Sequence, residues 1–166
     1  MIKDNPLTTD LIGGKTKKTD ERINFFCAAD ELSAHIMLLT HFLDDQTEKD
    51  ELSGIVERLS FIMGEVAGGK VYVDKNVLEQ LRAAVQKHEQ VVGPLKEFIL
   101  PGKTLLGARV HAVRTIARRT ELAYAKVFEA HGGSAYIFEY LNKLSTLLFA
   151  LARKYDENKV VPKSGK

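Results

Sequence analysis

Apolar residues recur at helical spacing along most of this chain, and this periodicity constrains its fold more than any other feature. In the first periodic segment they fall three and four residues apart, at Phe25, Ala29, Leu32, Ile36, Leu39 and Leu43. This spacing puts apolar side chains on one stripe of a helix, which packs against neighbouring helices. No segment alternates convincingly between apolar and polar residues, so the sequence predicts an all-α fold without strands.

Glycine and proline pairs divide the periodic sequence into five segments. Gly68-Gly69, Gly93-Pro94 and Gly132-Gly133 each follow a periodic stretch, and such pairs end helices. We expect helices over about 20–44, 49–67, 74–92, 103–131 and 134–155. Joined by short links, they form a five-helix up-and-down bundle of the ferritin-like or four-helix-bundle type. The 166 residues then form one domain, in which residues 1–18 and 157–166 are polar, mobile tails.

Composition excludes several classes of protein. The net charge is +2, which is too weak to indicate nucleic-acid binding. Cys27 is the one cysteine, so no internal disulfide forms and a reducing compartment is allowed. No apolar run approaches the length of a membrane span, and the opening residues lack the apolar core of a secretory signal. We expect a cytoplasmic protein that binds neither membrane nor nucleic acid.

The stretch HAVRTIARRTE, residues 111–121, gathers three arginines on the predicted fourth helix. At 100° per residue, Arg114, Arg118 and Glu121 share one face, while Arg109 and Arg119 fall outside it. Small residues and a histidine flank that face: Gly107, His111 and Ala125. The predicted core stripe of this helix lies elsewhere, at Leu105, Ala112, Val113, Ile116, Tyr124 and Val127.

Two interpretations of this arginine face stay open on geometry alone. Guanidinium groups offer a planar fork of donors that matches phosphate or carboxylate, which indicates an anion site. Alternatively, Arg118 and Glu121 form a simple surface pair, and Arg114 bridges to an acid of a neighbouring helix or subunit. A di-metal bundle is disfavoured because its Glu-x-x-His motifs are missing. A nucleic-acid-binding helix is disfavoured because Glu121 shares the face and no aromatic residues interleave.

Four segments in order give the chain a resemblance to a known family. They are TTDLIGGKTKKTDERINFFCAADEL, FILPG, VRTIARRTE and YLNKLSTLLFALAR. Together they resemble the propanediol-utilisation type of ATP:cob(I)alamin adenosyltransferase, from Thr8 to about Tyr155. The resemblance implies a homotrimer of five-helix bundles with its active site between neighbouring subunits. It further implies transfer of the 5′-deoxyadenosyl group of ATP to the cobalt of reduced cobalamin, with release of triphosphate.

The resemblance also implies roles for individual residues and partners. ATP, as its Mg²⁺ complex, is contacted by Thr8, Thr9, Lys18, Arg118, Glu121 and Asn142. Arg114 pairs with Asp30 across the subunit boundary. Phe98 lies under the corrin ring and keeps a lower ligand off the cobalt, so Phe98 and Arg118 act in catalysis. No metal ligand from the protein is expected; a flavoprotein reductase and an adenosylcobalamin-dependent enzyme are the implied protein partners.

Without the resemblance, several of these residues have plainer interpretations. Phe98 is then a core anchor at a loop end, Asn142 a buried amide with its hydrogen bonds satisfied, and Asp30 an exposed acid. Lys18, in the run KTKK, is then solvated.

The family's opening phosphate loop, Thr-x-Thr-Gly-Asp-x-Gly-Thr-Thr, is reduced here to Thr8-Thr9 behind MIKDNPL. Backbone N–H groups of such loops cradle phosphate, and Pro6 has none to offer. The alternative function is therefore that of a divergent, non-catalytic relative that binds corrinoid or nucleotide as a carrier or regulator.

Overall fold

Five helices account for most of the described chain and confirm the predicted bundle. The computed structural model describes residues 6–96 and 98–156. The helices are α1 (Glu21–Thr40), α2 (Gln46–Val66), α3 (Lys75–Val92), α4 (Leu105–His131) and α5 (Ala135–Tyr155).

Side-chain caps decide where these helices begin. Asp20, Asp74 and Thr104 each accept a hydrogen bond from a backbone N–H group of the first turn that follows, which satisfies donors that have no partner within the helix. The Asp45 carboxylate accepts in the same way from Thr47, at 2.9 Å. This cap starts α2 earlier than expected, and α1 ends at Thr40 instead of continuing to residue 44.

The helices pack side by side in the order α2, α1, α4, α5, α3. A contact of 2.5 Å between Glu51 of α2 and His88 of α3 joins the two outer helices. We call the end of the bundle where α4 finishes at His131 the hairpin end, and the end where it starts at Leu105 the loop end. The link 93–104 between α3 and α4 lies at the loop end, next to the end of α5.

A two-stranded antiparallel hairpin precedes α1 and corrects the strand-free prediction. Its strands are β1 (Thr8–Leu11) and β2 (Gly14–Lys17), with Thr8 opposite Lys17. Gly13 has a φ of +98°, a backbone conformation that suits glycine in a tight hairpin turn. Strands of four residues are too short to show clear alternation, which is why the pattern escaped notice. The other residues of the predicted tails, 1–5 and 157–166, lie outside the described residues.

The predicted core stripes are largely confirmed. All six predicted core positions of the first periodic segment are buried and at most 2% exposed, five on α1 and Leu43 just after it. In α4 the stripe is displaced, because this helix packs against both α1 and α5. Leu105 is 72% exposed and Ala112 is exposed, whereas Gly107 and His111 are buried. The arginine face is therefore buried at Gly107 and His111, in the first turns of α4, and it becomes accessible to solvent from Arg114 onward.

Candidate active site

Two arginines of α4 stand one helical turn apart without an acidic partner. Arg118 is exposed, and among the described residues it forms no hydrogen bond or ion pair. Arg114 is half-buried, with its guanidinium carbon 5.5 Å from the centre of the Phe149 ring. Its Nε atom is buried and has no hydrogen-bond partner in the described part of the chain. Both guanidinium groups therefore have donors available for a ligand or a second subunit.

The electrostatics of the pair favour an anion. Burial lowers the pKa of Arg114, and the nearby charge of Arg118 lowers it further. Arginine nevertheless stays protonated in proteins, so two like charges face each other on one surface. A phosphate or carboxylate placed between them relieves this repulsion and offers hydrogen-bond acceptors to both guanidinium groups.

Glu121 and Asn142 form a polar bridge beside the arginines. The Asn142 amide of α5 donates to Glu121 Oε1 of α4 at 2.9 Å. Asn142 is exposed, so its interpretation as a buried amide is wrong. Arg118 forms no ion pair with Glu121, so the surface-pair interpretation is also wrong for the described residues. The structure brings Arg118, Glu121 and Asn142 to one open surface where α4 meets α5.

The other two arginines of α4 point elsewhere, as predicted. Arg119 pairs with Glu31 of α1 at 2.5 Å. Arg109 stacks over the Phe42 ring, with 3.5 Å between its guanidinium carbon and the ring centre. Both side chains are occupied within the subunit, which separates them from Arg114 and Arg118.

The predicted N-terminal ATP ligands do not join this surface within one subunit. Thr8 and Thr9 lie on β1 at the hairpin end. Lys18 lines a cleft of about 390 Å³ together with Lys126 and the start of α1. That cleft opens between α1 and α4, whereas Glu121 and Asn142 meet between α4 and α5. One subunit therefore carries two basic surfaces, separated by α4.

Phe98 and Asp30 both present free side chains to the surroundings. Phe98 is 84% exposed in the link before α4, so its interpretation as a core anchor is wrong. Asp30 is exposed on α1 and forms no ion pair with any described residue. Arg114 and Asp30 thus have no charged partner among the described residues of one subunit.

The sequence analysis missed Phe149 and Asp156 in this region, and it named His111 only as a flank of the arginine face. Phe149 packs under Arg114 and 6.2 Å from the His111 ring. Burial lowers the pKa of His111, and Arg114 lowers it further. Asp156 lies directly after α5 and is 1% exposed. The available signal was Gly107, because a glycine inside a helix often marks close packing: a Cβ there would lie 2.0 Å from Asp156 Oδ1.

Among the described residues, one cluster of possible metal ligands occurs, at the hairpin end and away from Arg114 and Arg118. Asp20, Glu21 and His131 bring ligand atoms within 4.8 Å of one another. Both Asp20 oxygens, however, already accept hydrogen bonds from the Arg22 side chain. These bonds hold the pKa of Asp20 well below its usual range. Because they also occupy both oxygens of the carboxylate, we assign no metal to the cluster.

Comparison with known proteins identifies the relatives of this chain. The family model described as cobalamin adenosyltransferase matches residues 4–155. A corrinoid adenosyltransferase PduO from Salmonella typhimurium is 30% identical over 91% of this chain and 47% of its own length. A corrinoid adenosyltransferase from Citrobacter freundii is 28% identical over 88% of both chains. The chain spans about half the length of the PduO relatives. It spans most of the length of the second relative described above, the corrinoid adenosyltransferase that is 28% identical.

Solved structures agree with these matches. A variant PduO-type ATP:corrinoid adenosyltransferase from Lactobacillus reuteri, complexed with cobalamin and ATP, has a TM-score of 0.82 at 26% identity, covering 93% of this chain and 92% of its own. A second variant, complexed with ATP, has a TM-score of 0.83 at the same identity. The family match covers nearly the whole bundle, including both arginines and the Phe98 link. The chain belongs to the cobalamin adenosyltransferase family.

Proposed function

We propose that this protein transfers the 5′-deoxyadenosyl group of ATP to the cobalt of reduced cobalamin and releases triphosphate. The observation that carries the proposal is the unpaired Arg114–Arg118 pair beside the Glu121–Asn142 bridge, in a chain of this family. Relatives named corrinoid adenosyltransferase and neighbours complexed with cobalamin and ATP support it.

The proposed reaction requires the protein to stabilise negative charge and to position the substrates, more than to transfer protons. The cobalt attacks C5′ of ATP, forming the Co–C bond, while the C5′–O bond breaks and its electron pair leaves with the triphosphate. A fixed cation at Arg118 stabilises the growing negative charge without reorganising. Glu121 and Asn142, held by their mutual hydrogen bond, orient the nucleotide. Mg²⁺ arrives bound mainly through phosphate oxygens, as is usual for nucleotide substrates.

Phe98 has the complementary task on the corrin side. Its exposed ring stands out from the link at the loop end, where it is free to pack against an apolar ligand. In the proposed complex the ring lies under the corrin and keeps a lower ligand off the cobalt. Removal of that ligand makes the cobalt easier to reduce. The redox chemistry itself is that of the cofactor.

We further propose that the site is completed by assembly into a homotrimer. Arg114 and Asp30 lack charged partners in the described part of the subunit, and cyclic assembly lets the Asp30 surface of one copy meet the Arg114 surface of the next. Exposed apolar side chains accompany both surfaces: Met37 and Leu38 on α1, and Leu122 on α4. The same contact delivers Thr8, Thr9 and Lys18 to Arg118 of the neighbour.

The proposal extends to cellular context. None of the helices in the described part of the chain is long and apolar enough to cross a membrane. We propose a cytoplasmic enzyme that receives its corrinoid from a flavoprotein reductase and supplies adenosylcobalamin-dependent enzymes.

The direct test is conversion of the corrinoid. The full chain is mixed with ATP, magnesium and chemically reduced cobalamin, and the corrin absorption spectrum is followed with triphosphate release. We expect ATP-dependent formation of adenosylcobalamin with one triphosphate per adenosyl group. Corrinoid binding without conversion, in a protein shown to be folded, would contradict the proposal and favour the carrier or regulator.

A further inference from the structure

Asp156 is a buried carboxylate that holds the segment following Phe98. Its Oδ2 accepts the Gly102 N–H at 2.9 Å, and its Oδ1 accepts the Thr104 N–H at 3.1 Å. The side chain is 1% exposed. Hydrogen bonds from two backbone donors to a buried charged group are strong and costly to lose. The end of α5 is thus tied to the link before α4.

The surrounding residues fit this carboxylate closely. The Thr104 hydroxyl donates to the Tyr155 carbonyl at 2.8 Å and accepts the Gly107 N–H at 2.9 Å. Gly107 leaves the space that Asp156 fills. His111 Nε2 lies 3.4 Å from Asp156 Oδ2, without hydrogen-bond geometry. Three parts of the chain therefore converge on one carboxylate: the end of α5, the link and the first turns of α4.

The position of Phe98 depends on how this link is held. Its ring is 84% exposed, so packing within the subunit does little to fix it. Gly102, four residues later, is bonded to Asp156 and adopts a φ of +82°. Constraining Gly102 restricts the directions that the Phe98 side chain can take, because few backbone dihedrals separate them.

We propose that Asp156 is a positioning residue that sets the Phe98 link under the corrin ring and thereby excludes the lower ligand. The inference rests on the proposed function. It adds that a residue directly after α5 causes the exclusion of the lower ligand. It predicts that loss of the Asp156 charge harms corrinoids that carry a lower base more than corrinoids that lack one.

The test compares two corrinoids in the Asp156→Asn variant, each supplied as Co(II) with a chemical reductant, because the lower base binds Co(II) and not Co(I). Cobalamin carries an intramolecular lower base, and cobinamide lacks it. With cobalamin we expect kcat to fall at least about tenfold, as misplacement of a positioning group does, while the KM for ATP stays within about twofold. With cobinamide we expect a loss of less than about threefold. Equal losses with both corrinoids, or no loss with cobalamin, would overturn the inference.

A matched control separates positioning from simple helix capping. Asp45 also accepts two backbone N–H groups, from Thr47 and Glu48, at the same end of the bundle. We expect Asp45→Asn to leave the ratio of cobalamin to cobinamide activity unchanged, and a change equal to that of Asp156→Asn would overturn the inference.

If Asp156→Asn fails to fold, Gly102→Ala takes its place. The added Cβ would meet Ala108 Cβ at 3.2 Å in a backbone conformation that disfavours alanine, so the link shifts while Asp156 stays. We expect the same selective loss with cobalamin; an equal loss with both corrinoids would overturn the inference.

A spectroscopic measurement keeps the inference testable even if the wild-type chain makes no adenosylcobalamin. The chain holds no tryptophan, so Phe98→Trp creates a single fluorophore in the link. We expect lower fluorescence anisotropy in Phe98→Trp/Asp156→Asn than in Phe98→Trp alone. Equal anisotropy in the two proteins would overturn the inference, whereas failure of the conversion assay alone would overturn only the proposed function.

Discussion

The four arginines of α4 differ in what they contact, although their side chains are identical. Arg119 and Arg109 are occupied by Glu31 and Phe42 of the same subunit. Arg118 has no acidic partner among the described residues, and Arg114 rests on Phe149. Position on the helix thus separates arginines that complete the fold from arginines that remain available for a ligand or a second subunit.

Arg118→Lys tests this separation, with Arg119→Lys as its matched control. Lysine keeps the charge but loses the planar fork that grips phosphate at two points. We expect kcat/KM for ATP to fall about tenfold or more in Arg118→Lys, while Arg119→Lys stays within about twofold because an exposed ion pair contributes little. The measurement is the initial rate of adenosylcobalamin formation across ATP concentrations. Similar losses in both variants would contradict the assignment.

His111 predicts a loss of stability in mild acid. Burial lowers its folded-state pKa below the ordinary value of 6.5, so on acidification the unfolded chain binds the proton first. The free energy of unfolding therefore falls as the pH drops below about 6.5, and it recovers as the pH rises. Arg114 opposes protonation of His111 and Asp156 favours it, but burial has the largest effect, so the pKa stays lowered.

The check compares urea unfolding midpoints at about pH 7.5 and about pH 5.5. We expect His111→Gln to reduce the difference between the two midpoints, and His41→Gln, at an exposed histidine, to leave it as in the wild type. The assignment fails if His111→Gln keeps the full wild-type difference.

At the level of elements, the sequence predicted the helices well because each carries its own signals. Periodic apolar residues, acidic caps and glycine stops are local, and they placed four of the five helix starts within two residues. The hairpin and the Asp156 contacts were missed for different reasons. Strands of four residues give little pattern, and Asp156 acts through residues more than fifty positions away. The candidate site was predicted residue by residue only through the family resemblance.

The junction of α4 with α5 gives an element-scale prediction from two glycines. A Cβ at Gly107 would lie 2.0 Å from Asp156 Oδ1, whereas a Cβ at the helical Gly54 meets nothing within 4 Å. We expect Gly107→Ala to lower the free energy of unfolding by about 1–3 kcal/mol through overpacking. Gly54→Ala should raise it by about 0.5–1 kcal/mol through better helix propensity. Denaturant unfolding measures both, and stabilisation by Gly107→Ala would contradict the packing described here.

For the whole molecule, the proposed function implies that one subunit carries two incomplete halves of a site. Lys18 lies between α1 and α4, and Arg118 lies by the groove between α4 and α5. In the proposed homotrimer, a head-to-tail cyclic contact brings unlike surfaces of neighbouring copies together, so each site takes its N-terminal segment from one subunit and its arginines from the next. Thr8, Thr9 and Lys18 of one copy are then proposed to act with Arg118 of its neighbour.

The most direct test of this account is activity in mixed oligomers. One chain carries Thr9→Ala/Lys18→Ala and the other Arg118→Lys; each is first assayed alone and then co-expressed with the other in equal amounts. We predict that each parent is nearly inactive and that the co-expressed population recovers about a quarter of wild-type activity, because about one subunit interface in four pairs two intact halves. Mixed oligomers no more active than their parents would contradict a site shared between subunits.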